Sequence, residues 1–183
     1  MRRRQRGFLL NPFRFGESWV TVDSWTEGIN SAPWANYTHR LRVYAARFPD
    51  ANTTLIRLTD KAHPSGAGAQ TTKVYVGLGA TSGDEYDFDG APTEVLFGGS
   101  SGFSISAGSI ITSDATALVM DGTRDVLISG QSASTPACAF AGFDNRTNWK
   151  CWYKTGADAA TENASGYTAN PVEAVGVVKI EVR

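Results

Sequence analysis

Imidazole and thiol are scarce in this chain, which has two histidines (His39, His63) and two cysteines (Cys138, Cys151) in 183 residues. Two cysteines cannot build the disulfide framework of a small secreted scaffold. They leave either one bridge across neighbouring strands or two buried thiols, and the lack of an export signal favours the thiols. No Cys/His spacing suits zinc, which takes three or four such ligands. No glycine-rich loop is followed by Lys-Ser or Lys-Thr, so the phosphate-cradle motif is missing. No apolar run approaches the roughly 20 residues of a membrane span. The apolar piece Phe8-Leu9-Leu10 stops at Asn11-Pro12, far short of a signal-peptide core. Without that signal, the sequons at Asn36, Asn52, Asn145 and Asn163 read as chance. Charged residues are 19%, against 42% hydrophobic and 19 glycines, a balance that suits a soluble, turn-rich β protein and argues against disorder.

What charge there is lies unevenly. Five of the 17 basic residues, Arg2, Arg3, Arg4, Arg6 and Arg14, fall in the first 15 positions with no acid among them, a local charge of +5. The other 12 face 18 acidic residues, leaving −6. Residues 1–16 also concentrate Phe8, Leu9, Leu10, Phe13 and Phe15, and Pro12 forbids one regular helix through them. Five large apolar side chains on a free tail would sit in water. The segment therefore reads as an extended N-terminal arm that docks into a partner's groove, with a strand of the body preceded by an arginine tail as the alternative.

Residues 17–183 read as one β domain. The organising stretch is 94–129, four short strands with turns between them. Phe103 and Ile105 alternate with Ser104 and Ser106, the period of a half-buried strand. Gly108 breaks that strand; 117–120 is apolar on both faces, as in a central strand; Asp121-Gly122 supplies hairpin-type turn residues. Earlier, 17–24 opens the sheet and 25–37 is a loop. Segment 39–48 sets Leu41, Val43 and Ala45 against a wet face of Arg40, Arg42 and Tyr44. Strands follow at 53–58 and 72–79, separated by a loop at 60–70, and 80–92 is an acidic loop. Segment 137–142 is a short apolar run. Segment 148–154 alternates Trp149, Cys151 and Tyr153 against Lys150 and Trp152, and 155–170 is loop. The last strand, 175–182, ends the chain and implies no second domain. Nine or ten strands with this turn spacing predict an all-β, two-sheet jelly-roll β-sandwich.

Three pieces of the central stretch carry a resemblance: Leu96-Phe97-Gly98-Gly99, Ile105-Ser106-Ala107-Gly108 and Ser113-Asp114. Together they resemble the jelly-roll accessory module that precedes the catalytic domain in some SGNH/GDSL-type esterases, with Ala115 where that module has proline. The segment from Gly7 to Phe15, GFLLNPFRF, is similar to the N-terminal opener of structural proteins of tailed bacteriophages and phage-like particles. The first resemblance implies a fold. The second implies a virion protein, assembled in the bacterial cytoplasm, whose partners are other virion proteins or copies of itself.

A Ser-His-Asp hydrolase needs a nucleophile, a histidine and an orienting acid. The esterases' Gly-Asp-Ser is missing, since Glu85 follows Gly83-Asp84, and both histidines read as ordinary surface residues. Asp84, Glu85, Asp87 and Asp89 could gather around calcium, but no glutamate closes a twelve-residue loop, so a solvated acidic loop is favoured and no metal or cofactor is expected. The arginine arm could touch phosphates, yet the acidic body repels a duplex, which makes direct nucleic-acid binding the weaker reading. Saccharide stacking on Trp34, Tyr37 and the outward Trp152 competes with those rings filling core and sheet edge. The leading expectation is a non-enzymatic spike, fibre or decoration protein, anchored by residues 1–16 and touching host-surface polysaccharide. The rival is a free carbohydrate-binding module of an esterase system.

Overall fold

The computed structural model describes residues 18–24, 34–48, 53–64, 68–133, 142–143, 148–170 and 174–183. The arm, residues 1–16, and Cys138 lie outside them. Two antiparallel sheets pack face to face as a β-sandwich. The smaller contains β1 (Val20–Ser24), β3 (Leu55–Lys61), β8 (Ile110–Thr112), β9 (Thr116–Ala117) and β15 (Val177–Val182). Its order is β1-β15-β3-β8, with β9 also on β3. The larger contains β2 (Tyr37–Val43), β4 (Ala69–Leu78), β5 (Thr93–Phe97), β6 (Ser100–Ser101), β7 (Phe103–Ile105), β10 (Val126–Ser132), β12 (Trp149–Thr155) and β13 (Thr168–Ala169). It runs β13-β12-β2-β10-β4-β5-β6, with β7 also on β4. β11 (Gly142–Phe143) and β14 (Ala174–Val175) pair separately. Among the described residues no helix is long and apolar enough to cross a membrane.

Alternation explains the core. Leu41 and Val43, Val74 and Val76, Val126 and Ile128, and Trp149 and Cys151 point inward from the large sheet. Ile56 and Leu58, with Ile180 and Val182, meet them from the small one. On β15 the expected two-by-two pattern slips, because the register shifts between Val177 and Lys179. A bulge puts one extra residue on a strand, so Val177 is buried with Ile180 although three positions separate them.

Of the stretch 94–129 only its end, in β10, lies at the centre of a sheet, between β2 and β4; β5 to β9 lie towards the edges. Segment 117–120 alternates instead of being apolar on both faces: Leu118 and Met120 are buried, whereas Val119 is 72% exposed. It extends the edge of β3, with Leu118 and Met120 N–H groups donating to Thr54 and Thr53. The turn at Asp121-Gly122 carries the chain from one sheet to the other rather than closing a hairpin. Segment 60–70 is only partly loop, since β3 runs through Lys61 and β4 begins at Ala69.

Two of the three pieces named above, 96–99 and 113–114, meet in space. Asp114 accepts the N–H groups of Gly98 (3.3 Å) and Gly99 (2.7 Å), both at positive φ, where glycine is unstrained. Ser113 Oγ accepts the Leu58 N–H at 2.9 Å. These residues fasten the edge of one sheet to the edge of the other, a structural role.

Candidate functional site

The outer face of β2 was expected to be wet; instead it is roofed. Arg40 is fully buried. Its Nη1 donates to the Tyr86 carbonyl, and its Nη2 to the carbonyls of Asp158 (3.2 Å) and Thr161. The guanidinium lies between the rings of Phe88 (4.8 Å) and Tyr167 (4.9 Å). Two residues further along the strand, Arg42 binds Asp125 at 2.7 Å and the carbonyls of Glu85 (2.8 Å) and Ala80 (3.3 Å). An irregular loop carries carbonyls that no ladder satisfies, and guanidinium supplies five donors in a fixed fork. Two arginines on one strand face thus gather loops 80–92 and 156–167 over the sheet.

Under that roof is a second apolar layer of Phe88, Leu127, Trp152, Ala159 and Ala164. Gly77 makes room for it, since a Cβ there would come within 2.8 Å of the Phe88 ring. Trp152 does point away from Trp149 and Cys151, as alternation predicts, but it is only 6% exposed and packs on Tyr86 at 6.0 Å. The loops that cover it remove it as a stacking platform.

The acidic loop spends its carboxylates separately. Asp87 is buried and accepts the N–H groups of Asp84 (3.0 Å) and Ala164 (2.9 Å). Glu85 pairs with Lys150, Asp89 with Arg124, and Asp84 accepts the Tyr86 hydroxyl at 2.8 Å. Among the described residues no group of three His, Cys, Asp or Glu side chains could hold a metal.

Inside the sandwich, His39 (β2), Asp60 (β3), Ser132 (β10) and Cys151 (β12) line one small cavity with Thr71. His39 is therefore not a surface residue: it is 7% exposed, and Trp34 packs edge-on over it at 4.7 Å. Burial pushes His39 down to about 3 and Asp60 up to about 7, so both are neutral near pH 6. The residue types are those of a hydrolase, but the arrangement is not. Ser132 Oγ accepts the Tyr37 N–H at 3.0 Å and donates to the Tyr37 carbonyl at 3.1 Å, which splints the start of β2. Only about 30 Å³ is open to the centre of a water molecule, too little for any acyl substrate. The esterases' Asp-x-x-His spacing, expected to be missing here, is in fact present, since Asp60 stands three residues before His63. An extended chain sends residues three apart to opposite faces, and Asp60 is directed into the cavity.

Trp34 and Tyr37, two of the expected saccharide-facing rings, do come together. Their centroids are 5.2 Å apart, and Tyr153 joins them at 5.4 and 6.0 Å. All three are half-buried, and they cap the end of the sandwich beside the cavity. A wider groove lies elsewhere, on the outer face between β4 and residues 157–161, with Tyr75 as the one ring among its described lining residues. No protein-family model matches the chain, and no curated protein matches it.

Proposed function

We propose that this chain is a non-enzymatic structural protein of a tailed phage or phage-like particle. The β-sandwich projects from the particle, and residues 1–16 anchor it. The observation that carries this reading is the employment of the polar side chains. Ser132 splints a strand, Asp60 and His39 are enclosed, and Arg40 and Arg42 hold loops. The body spends its chemistry on its own rigidity. The arm, by contrast, sets five arginines and five large apolar side chains against an acidic body, and a neighbouring copy offers such a body. Apolar side chains of this size each contribute roughly 1.5–3 kcal/mol when buried, before ordering costs, while the arginines set register more than affinity.

Deleting residues 1–16 will leave a folded sandwich with an unchanged melting temperature that no longer enters particles when co-expressed with their other components. A truncated chain that cannot fold would make the segment an integral strand and end the anchor reading.

Contact with host-surface polysaccharide falls on the Trp34–Tyr37–Tyr153 cap, the ring cluster that loops 80–92 and 156–167 leave uncovered. Trp34→Ala should then weaken retention in affinity electrophoresis through host polysaccharide about fivefold, since an aromatic contact is worth on the order of 1 kcal/mol. Equal retention of mutant and parent would dismiss the cap as a glycan site.

A further inference from the structure

The core cavity between the sheets has a property that its apolar neighbours do not explain. Asp60 is 5% exposed, and its Oδ2 has no hydrogen-bond partner within the described protein. That oxygen belongs to a side chain lining a space that also meets the hydroxyl-bearing residues Thr71 and Ser132. The space exists partly because Gly130 contributes no side chain, and a Cβ built there would meet no atom within 4 Å.

We propose that this cavity is an internal hydration site, holding one or two water molecules between the Asp60 carboxyl and the hydroxyls of Thr71 and Ser132. The volume fits: a water needs roughly 10–15 Å³ by this measure, and about 30 Å³ is open. So does the chemistry. A buried water is retained where two to four polar groups converge on it, whereas a cavity lined only by Leu or Ile stays dry. Ser132 Oγ bonds both polar groups of the Tyr37 backbone and still keeps an acceptor site. Among the described residues the titratable groups facing Asp60 across the space are His39 and Cys151, and no lysine or arginine lines it. The carboxyl is accordingly neutral below about pH 7, a donor as well as an acceptor towards water. A metal ion is disfavoured by the same facts, since hard cations want several ionised or carbonyl oxygens.

The test is a crystal structure of the full chain at about 1.5 Å resolution, grown near pH 5.5 and again as Gly130→Ala. The expected result is one or two density peaks at hydrogen-bonding distance from Asp60 Oδ2, with at least one lost in Gly130→Ala. A void without density, or Asp60 turned onto a protein acceptor, overturns the proposal. A peak with the short contacts of a metal ion does so too. Should Gly130→Ala not fold, Thr71→Val serves as the second arm and should displace or remove a peak. Water-oxygen relaxation dispersion gives an independent reading in solution, where wild type should show one or two more long-lived waters than the variant, and an equal count overturns the assignment.

Discussion

Arg40→Met will lower the stability of the sandwich by roughly 2–5 kcal/mol, the cost of leaving buried carbonyls without a donor. Methionine keeps an apolar stem between Phe88 and Tyr167 but donates nothing. The carbonyls of Tyr86 and Thr161 then lose this donor, while that of Asp158 keeps the Thr161 N–H, and each buried acceptor left unpaired costs about 1–3 kcal/mol. Relief of guanidinium desolvation offsets part of that sum. Arg40→Lys should recover little, because a single ammonium cannot span carbonyls on two loops. Urea denaturation measures the loss. Hydrogen exchange locates it, at the Phe88 and Asp158 amides, which now donate to Glu162 and Thr38. A shift below 1 kcal/mol with those amides still protected would mean that the loops hold themselves and that the arginine is incidental.

The second large effect is a pH dependence that appears only when one of two opposed groups is removed. Asp60 is pushed from 3.8 up to about 7, so between those values the folded chain keeps a proton that the unfolded chain has released. Its contribution is fully present below pH 3.8 and is lost as pH rises through 7. His39 is pushed from 6.5 down to about 3. The unfolded chain therefore takes up a proton below 6.5 that the folded chain refuses, and stability is lost as pH falls from 6.5 to 3. Between about pH 4 and 6.5 each state carries one proton on this pair, Asp60 in the folded chain and His39 in the unfolded one, and the two slopes cancel. Asp60→Asn leaves His39 alone. The stability of the variant relative to wild type should climb by about 1.4 kcal/mol per pH unit from pH 4 to 7, about 4 kcal/mol in all. Denaturant melts of both proteins at four pH values give that difference free of every other carboxylate. A difference independent of pH would show that Asp60 ionises normally inside the fold.

Much of the sandwich is readable from alternation alone. Val74, Val76 and Leu78 mark β4, Val126 and Ile128 mark β10, and Trp149 and Cys151 mark β12, because a strand shows its two faces every second residue. What alternation does not reveal is what lies over a face. Arg40 and Arg42 look like solvated residues because their roof comes from loops up to 121 positions away, and nothing local announces it. Trp152 sits on the expected face under the same roof. His39 fails for a different reason: a polar residue on an inward position of a short strand resembles a strand end, and only the packing of β3, β10 and β12 around it shows that it is core. The glycine at 77 and the apolar Phe88 inside an acidic loop were the available hints, a slot and a ring to fill it.

Among the described residues the large sheet ends at both sides in strands of two residues, β13 and β6. A long bare edge presents a row of unpaired amides and carbonyls that invites another chain to add to it, and native proteins avoid this with very short edge strands. Two residues give a neighbour almost no register to follow. Copies of this domain held side by side at high local density would meet through side chains rather than by zipping backbone to backbone, so crowding would not by itself convert them into fibres.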